Sequence, residues 1–369
     1  MSGTLLHLID TGGPGGAETV FLRVAAGLDA RGWRAVPVVN RDAWLARELR
    51  AAGLQPIVMS SKGSLNVEYL RALCHLARSS KARALVTHLY GSAVYGGVAG
   101  RLTRRPVVSV LHGQTDVGTE ERFAWIKSQV VGHGAVRLVA VSEHLRQALE
   151  CRIAAPPQRW TVIPNGVDTQ ALRAGGSCGL RHRLAIPSDA VVVGALGNIR
   201  RPKGYDVFLR AAAELARSSD RLQFVIGGEA KHDLMNELLA LRDDLGLQQR
   251  VHFAGLQTDV RGFLGDIDVF LLTSSTEGFS IACVEAMACG LPVVATRSGG
   301  PEEIVVDQRT GFLCPVGDFR ALADRVRQLA GSAELRARMG AAGRQRAVER
   351  FSLDAMLDAY EAIVRSAVR

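Results

Sequence analysis

Glu277 and Glu285 flank the turn Gly278-Phe279-Ser280, so that one short passage of chain carries two carboxylates and a helix start. An apolar run over 269–272 reads as a strand ending in Thr-Ser-Ser-Thr, Ser280 opens a helix, and Gly290-Leu291-Pro292 closes it. The amides near Phe279, Ser280, Ile281 and Ala282 then lack intrahelical acceptors. With the helix dipole behind them, such amides bind phosphate without a cationic side chain. Glu277 lies just ahead of these amides, and Glu285 sits inside the helix, about 7 Å beyond Ser280 along its axis. An ionised carboxylate accepts hydrogen bonds on both oxygens, so one of the pair suits a sugar and the other a ribose. Glu229 and Glu237 share the spacing, which therefore decides nothing alone; the strand–turn–helix frame carries the reading.

Elements on either side must position this pair. Strand 191–196 leads into Gly197-Asn198-Ile-Arg200-Arg201-Pro-Lys203-Gly204 and a helix over 205–217, which places cations beside a helix N-terminus, a setting that suits a diphosphate. Near the start of the chain, strand 4–9 runs into the glycine loop Thr11-Gly-Gly-Pro-Gly15-Gly16-Ala-Glu18 and a helix to about residue 31. Glycines let backbone approach a ligand where a Cβ would obstruct. His88 and His112 follow apolar strands, which places both at carboxyl ends, where open α/β sheets bind ligands. Ser142 has the character of an N-cap, and Pro164-Asn165-Gly166 is good turn chemistry.

In these motifs, and in their order along nearly the whole chain, the sequence resembles the retaining glycosyltransferases of family four. The resemblance rests on the Glu277-x7-Glu285 frame with Gly-Leu-Pro and Ser298-Gly-Gly-Pro-Glu302 behind it, and on Lys203-Gly204. It extends to His112-Gly113, the Val-Ser142 turn, and Pro164-Asn165-Gly166-Val-Asp168. It implies the GT-B fold: α/β, two Rossmann-like lobes with the active site in the inter-lobe cleft. It also implies a nucleoside-diphosphate-sugar donor, UDP- or GDP-linked, retention of anomeric configuration, and no metal or other cofactor. By the same resemblance Gly15 and Gly16 lie next to the donor diphosphate, His112 faces the donor sugar, and Lys203 pairs with the diphosphate. Glu277 holds sugar hydroxyls and Glu285 ribose hydroxyls, while Gly278, Phe279, Ser280 and Ile281 border the donor. Where the family has an arginine this chain has Asn198, so Arg200 or Arg201 must supply a second cation. A nucleotide-sugar epimerase, a glycan phosphorylase and a noncatalytic sugar-binding protein share the shape. The Glu frame disfavours the first, a missing pyridoxal-phosphate lysine motif the second, and the joint survival of Lys203, Glu277 and Glu285 the third.

Size agrees with two lobes, since 369 residues make about two ordinary domains. The expected division is an acceptor-side lobe over 1–170, a linker over 171–189, a nucleotide-sugar lobe over 190–350 and a helix over 351–369 returning to the first lobe. Apolar residues make up 47% and aromatic ones 5%, which excludes a largely disordered chain. Strands alternate with helices throughout, hence parallel doubly wound sheets. No apolar run has membrane-helix length and no charged leader precedes the first strand, so a cytoplasmic location is expected. The six cysteines form no Cys-x-x-Cys pair, so neither a zinc site nor a disulfide framework is indicated.

Charge is uneven. Residues 1–170 hold 20 Lys/Arg against 12 Asp/Glu, whereas 171–369 hold 25 against 24. A basic first half suits a glycan or lipid-linked acceptor, with peripheral attachment at the inner face of a membrane. Phe123-Ala-Trp125-Ile-Lys127, which sets aromatic and cationic residues side by side, adds to that expectation. No basic motif interleaved with aromatics indicates nucleic acid.

Overall fold

A computed structural model describes residues 3–61, 66–114 and 123–369. The chain divides into two compact units, one of residues 1–166 with 353–369 and one of residues 167–352. Each is built on a parallel sheet whose strands are short runs rich in Val, Leu and Ile, buried on both faces as parallel sheets require.

The first unit has seven strands: β1 (Gly3–Ile9), β2 (Trp33–Val39), β3 (Ile57–Val58), β4 (Ala82–His88), β5 (Val107–Leu111), β6 (Arg137–Ala140) and β7 (Trp160–Val162). Their order is β3-β2-β1-β4-β5-β6-β7. β1 pairs in parallel with both β2 and β4, Leu6 opposite Val36 and Leu85. Sequence order therefore reverses between β1 and β4, and the carboxyl ends of these two strands, near Asp10 and His88, form the switch point where such sheets take ligands. β7 is a strand the sequence reading did not anticipate. Three residues at an edge, behind Pro156 and Pro157, carry no periodicity to read.

In the second unit the strands are β8 (Val191–Leu196), β9 (Leu222–Gly227), β10 (Val251–Gly255), β11 (Val269–Leu272), β12 (Val293–Thr296) and β13 (Gly311–Cys314). Their order is β10-β9-β8-β11-β12-β13, so here the switch point lies between β8 and β11. Phe208, Phe224, Leu271 and Val326 are fully buried in the core that binds sheet to helices.

The segment 171–189, expected as a linker, belongs to the second unit. Asp266 accepts from Ser177 Oγ at 2.7 Å and from the amides of Cys178 and Leu180 at 3.1 and 2.8 Å. Irregular composition there marks a folded loop whose backbone partners come from residues nearly ninety positions away. The last helix, Leu353–Ala367, packs within the first unit: Arg31 meets Asp358 at 2.6 Å, and Trp33 Nε1 donates to Glu361 at 3.4 Å.

Candidate functional site

Two loops flank the switch point of the second sheet, and each carries one half of an ion pair. After β8, Arg201–Lys203 forms a single 3-10 turn with Pro202 inside it and Gly204 in the left-handed region at φ 63°. The helix Tyr205–Ala216 starts there. After β11 comes the stretch 273–280. Backbone bonds clasp the two loops, because Ser275 N donates to Pro202 O at 2.8 Å and Thr273 Oγ1 donates to Lys203 O at 3.1 Å. On the outer side Ile199 N donates to Glu229 O at 2.8 Å, and Tyr205 OH to Gly197 O at 3.0 Å.

Held in this way, Lys203 Nζ lies 2.6 Å from Glu277 Oε1. Ser274 Oγ donates to the same oxygen at 2.7 Å, and Glu277 is only 8% exposed. Both contacts fall on Oε1, while Oε2 accepts from no group among the described residues. The backbone of Glu277 is also fixed, its amide donating to Ser298 O at 2.7 Å and its carbonyl accepting from Gly300 N at 2.9 Å. A buried carboxylate holding one oxygen and a lysine with further N–H donors can together bind hydroxyls and phosphate oxygens.

Behind them the helix Ile281–Ala288 begins at Ser280, whose Oγ accepts from Cys283 N at 3.4 Å. Ile281 and Ala282, at its first turn, are partly exposed. Glu285 is buried to 8% exposure within this helix. The Phe279 ring is itself buried, edge-on to Phe351 at 5.8 Å between ring centres, so this residue offers a ligand its backbone and not its ring. Of the two arginines, Arg201 grips Glu237 at 2.8 and 3.0 Å on the surface. Arg200 is exposed and pairs with no carboxylate among the described residues. Asn198 starts the same loop.

One Asp-x-Asp triplet is present, Asp266-Ile267-Asp268. Both carboxylates have structural work. Asp266 ties down 177–180, and Asp268 pairs with Arg181 at 2.6 Å and accepts from Val192 N at 2.7 Å. Among the described residues no three His, Cys, Asp or Glu side chains gather as a metal would need.

In the first unit the sequence candidates divide. Gly16 opens the helix Gly16–Ala30, and Thr19 Oγ1 donates to Gly15 O at 2.8 Å. The Glu18 carboxylate lies against Gly15, its Oε2 2.3 Å from where a Cβ would stand, so this helix start already faces an anion. Ser142 is an N-cap accepting from Leu145 N at 3.1 Å. His88 and His112 meet, Nδ1 of the first 3.0 Å from Nε2 of the second. Burial lowers the His112 pKa to about 3 and that of His88 well below its ordinary value, so both are neutral at physiological pH.

Sequence reasoning missed Asp10. It stands one residue past β1 at the switch point, and burial raises its pKa to about 6. Gly91 makes room for it, since a Cβ there would lie 1.9 Å from Asp10 Oδ2. The available signal was an aspartate at a strand end directly before the glycine loop.

Comparison with known proteins assigns this architecture. Residues 14–171 match the family described as Glycosyltransferase Family 4, and residues 180–346 match Glycosyl transferases group 1. The chain therefore carries a Glycosyltransferase Family 4 segment followed by a Glycosyl transferases group 1 segment, one for each parallel sheet. A lipopolysaccharide core biosynthesis glycosyltransferase, LpsE, of Rhizobium meliloti is 34% identical over 186 residues, 50% of this chain and 53% of its own length. A D-inositol 3-phosphate glycosyltransferase of Saccharomonospora viridis is 34% identical over 247 residues, 63% of this chain and 57% of its own. The chain thus spans a little over half the length of these curated relatives. The crystal structure of the Anabaena protein HepE in complex with UDP matches this GT-B fold with a TM-score of 0.87 at 24% identity, over 98% of this chain and 100% of that one.

Proposed function

We propose that this protein moves a sugar from a UDP- or GDP-sugar to a glycan or lipid-linked acceptor, with retention, in cell-surface polysaccharide or glycolipid synthesis. The observation that carries the reading is the Lys203–Glu277 pair on clasped loops at the switch point, next to a helix start. The names of the relatives, which concern lipopolysaccharide core and inositol phosphate, and the UDP bound by HepE point the same way.

In this reading Lys203, with Arg200 as the second cation, takes the diphosphate together with the amides of Ile281 and Ala282. Glu277 Oε2 takes a sugar hydroxyl, Glu285 the ribose, and His112 a group on the donor sugar. As the anomeric C–O bond to the diphosphate breaks, these cations and amides neutralise the leaving oxygen, a role metal ions fill elsewhere. The acceptor oxygen forms its bond on the same face and its proton passes to the leaving phosphate oxygen. Transfer of labelled sugar, in contrast to isomerisation or binding alone, tests the reading against an epimerase or a sugar-binding relic. Donor bases can be ranked beforehand by thermal shift, since a ligand at 100 times its Kd stabilises by about 2.7 kcal/mol.

Glu285→Gln keeps shape and removes charge-assisted hydrogen bonds, each contributing on the order of 1.5 to 3 kcal/mol, so nucleoside-diphosphate affinity is expected to fall about 10- to 150-fold. Calorimetry on the folded variant checks this, and unchanged affinity would remove Glu285 from the ribose. Transfer is expected to persist in excess EDTA; loss restored by Mn²⁺ or Mg²⁺ would refute metal independence.

A membrane-surface acceptor is favoured by a second observation. Phe123, Trp125 and Ile126 are 48%, 72% and 49% exposed, next to Lys127 in a basic unit. No helix among the described residues is long and apolar enough to cross a membrane, so attachment would be peripheral. Trp125→Ala/Lys127→Glu is expected to weaken co-sedimentation with anionic vesicles at low salt, each well-placed cation contributing about 1 kcal/mol. Equal, negligible binding of the native protein to anionic and neutral vesicles would indicate a soluble acceptor.

A further inference from the structure

We propose that His88 is a positioning residue that sets the tautomer of His112, holding its proton on Nδ1 so that this nitrogen is a hydrogen-bond donor to a bound ligand. The ligand's being a sugar nucleotide rests on the transfer reading above; the tautomer does not.

His88 ends β4 with no exposed surface, and Phe21 packs edge-on to it at 5.2 Å between ring centres. The His88 and His112 ring centres are also 5.2 Å apart, with planes inclined by only 20°. That separation is close to the 3.0 Å between Nδ1 and Nε2 plus one ring radius at each end. The contact is therefore an in-plane N–H···N bond between nearly coplanar rings, not a face-to-face stack. Burial keeps both rings neutral, so each carries one N–H and only two arrangements satisfy the bond.

In one arrangement His112 donates from Nε2. His88 must then carry its own proton on Nε2, a buried nitrogen with no hydrogen-bond partner in the structure. His7, the other imidazole in contact with Phe21, does not serve as acceptor, since neither of its nitrogens makes a hydrogen bond. In the other arrangement His88 donates from Nδ1 and leaves only a lone pair on its buried Nε2. A buried N–H without an acceptor is the rarer defect in folded proteins, so the second arrangement is favoured. His112 then carries its proton on Nδ1, which has no hydrogen-bond partner among the described residues, in a residue that is partly exposed. A donor at that position suits hydroxyl, carbonyl or phosphate oxygens, whereas the opposite tautomer would offer them a lone pair.

The test is a long-range ¹H–¹⁵N correlation spectrum of the full chain labelled only at histidine, recorded without substrate, with His112→Gln used to assign the His112 signals. The native protein is expected to show His112 protonated on Nδ1. His88→Ala should return it to the Nε2–H form that free neutral histidine prefers. His88→Asn, whose amide nitrogen falls near the place of Nδ1, should keep the native form. Donor KM should rise about tenfold in His88→Ala and stay within about threefold in His88→Asn. A native His112 protonated on Nε2, or an Nδ1–H form untouched by His88→Ala, would overturn the inference. If His88→Ala does not fold, the native and His88→Asn spectra decide it. Absence of sugar transfer in a protein with the expected spectrum would count against the transfer reading alone.

Discussion

Lys203→Ala is expected to lower sugar transfer by about two to three orders of magnitude, the usual loss when one preorganised donor to developing charge is removed. The same change should cost the second unit stability, because Glu277 is 8% exposed and would be left without its cation. Breaking one side of a buried pair costs about 3–5 kcal/mol, and a quarter-exposed Lys203 side chain places this case at the lower end. The two losses can be separated. Glu277→Gln added to Lys203→Ala removes the stranded charge, so the double variant should recover most of the stability and none of the transfer. Urea midpoints and labelled-sugar transfer for the two single variants and the double variant supply the comparison. Transfer at native level in Lys203→Ala would reduce the pair to a structural ion pair.

Gly204→Ala is expected to be about as damaging, by a different route. Gly204 has φ 63°, and an added Cβ would lie 2.2 Å from the carbonyl oxygen of Thr273. Neither the strained conformation nor the clash can be relieved by a side-chain rotation, since both partners are backbone. The left-handed conformation alone costs about 1–2 kcal/mol in a residue with a Cβ. Relieving the contact must open the clasp that presents Lys203 to Glu277, so nucleotide affinity should fall together with stability. Gly317→Ala is the control, because φ is 78° there but a Cβ would meet nothing within 4 Å. It should show the conformational penalty with native nucleotide affinity. If Gly204→Ala matched Gly317→Ala in both urea midpoint and affinity, the clasp would not matter to binding.

Much of this molecule was legible in its sequence, for reasons that are local. Parallel strands buried on both faces are apolar runs, and several of the helices between them carry their own side-chain caps. Ser142 and Ser280 were readable as N-caps because a cap is decided within three residues. The Glu277–Glu285 frame was legible because strand, turn and helix follow one another directly along the chain.

Tertiary structure decided whatever depends on partners distant in sequence. Lys203 and Glu277 are 74 positions apart, and only the β8–β11 adjacency at the switch point brings them to 2.6 Å. Glu237 holds Arg201 from another helix, while Arg200 pairs with no carboxylate among the described residues. That Phe279 turns its ring against Phe351 and leaves only its backbone toward a ligand depends on a residue 72 positions away. Segment 171–189 lacks periodicity and reads as a linker, yet Asp266 and Asp268 supply its polar partners from far along the chain. His88 and His112 each announce only a strand end; that they share one hydrogen bond follows from β4 pairing with β5. Caps and periodicity concern neighbours a few residues apart, so a sequence states them openly, whereas ion pairs, ring contacts and shared protons depend on which strands lie side by side.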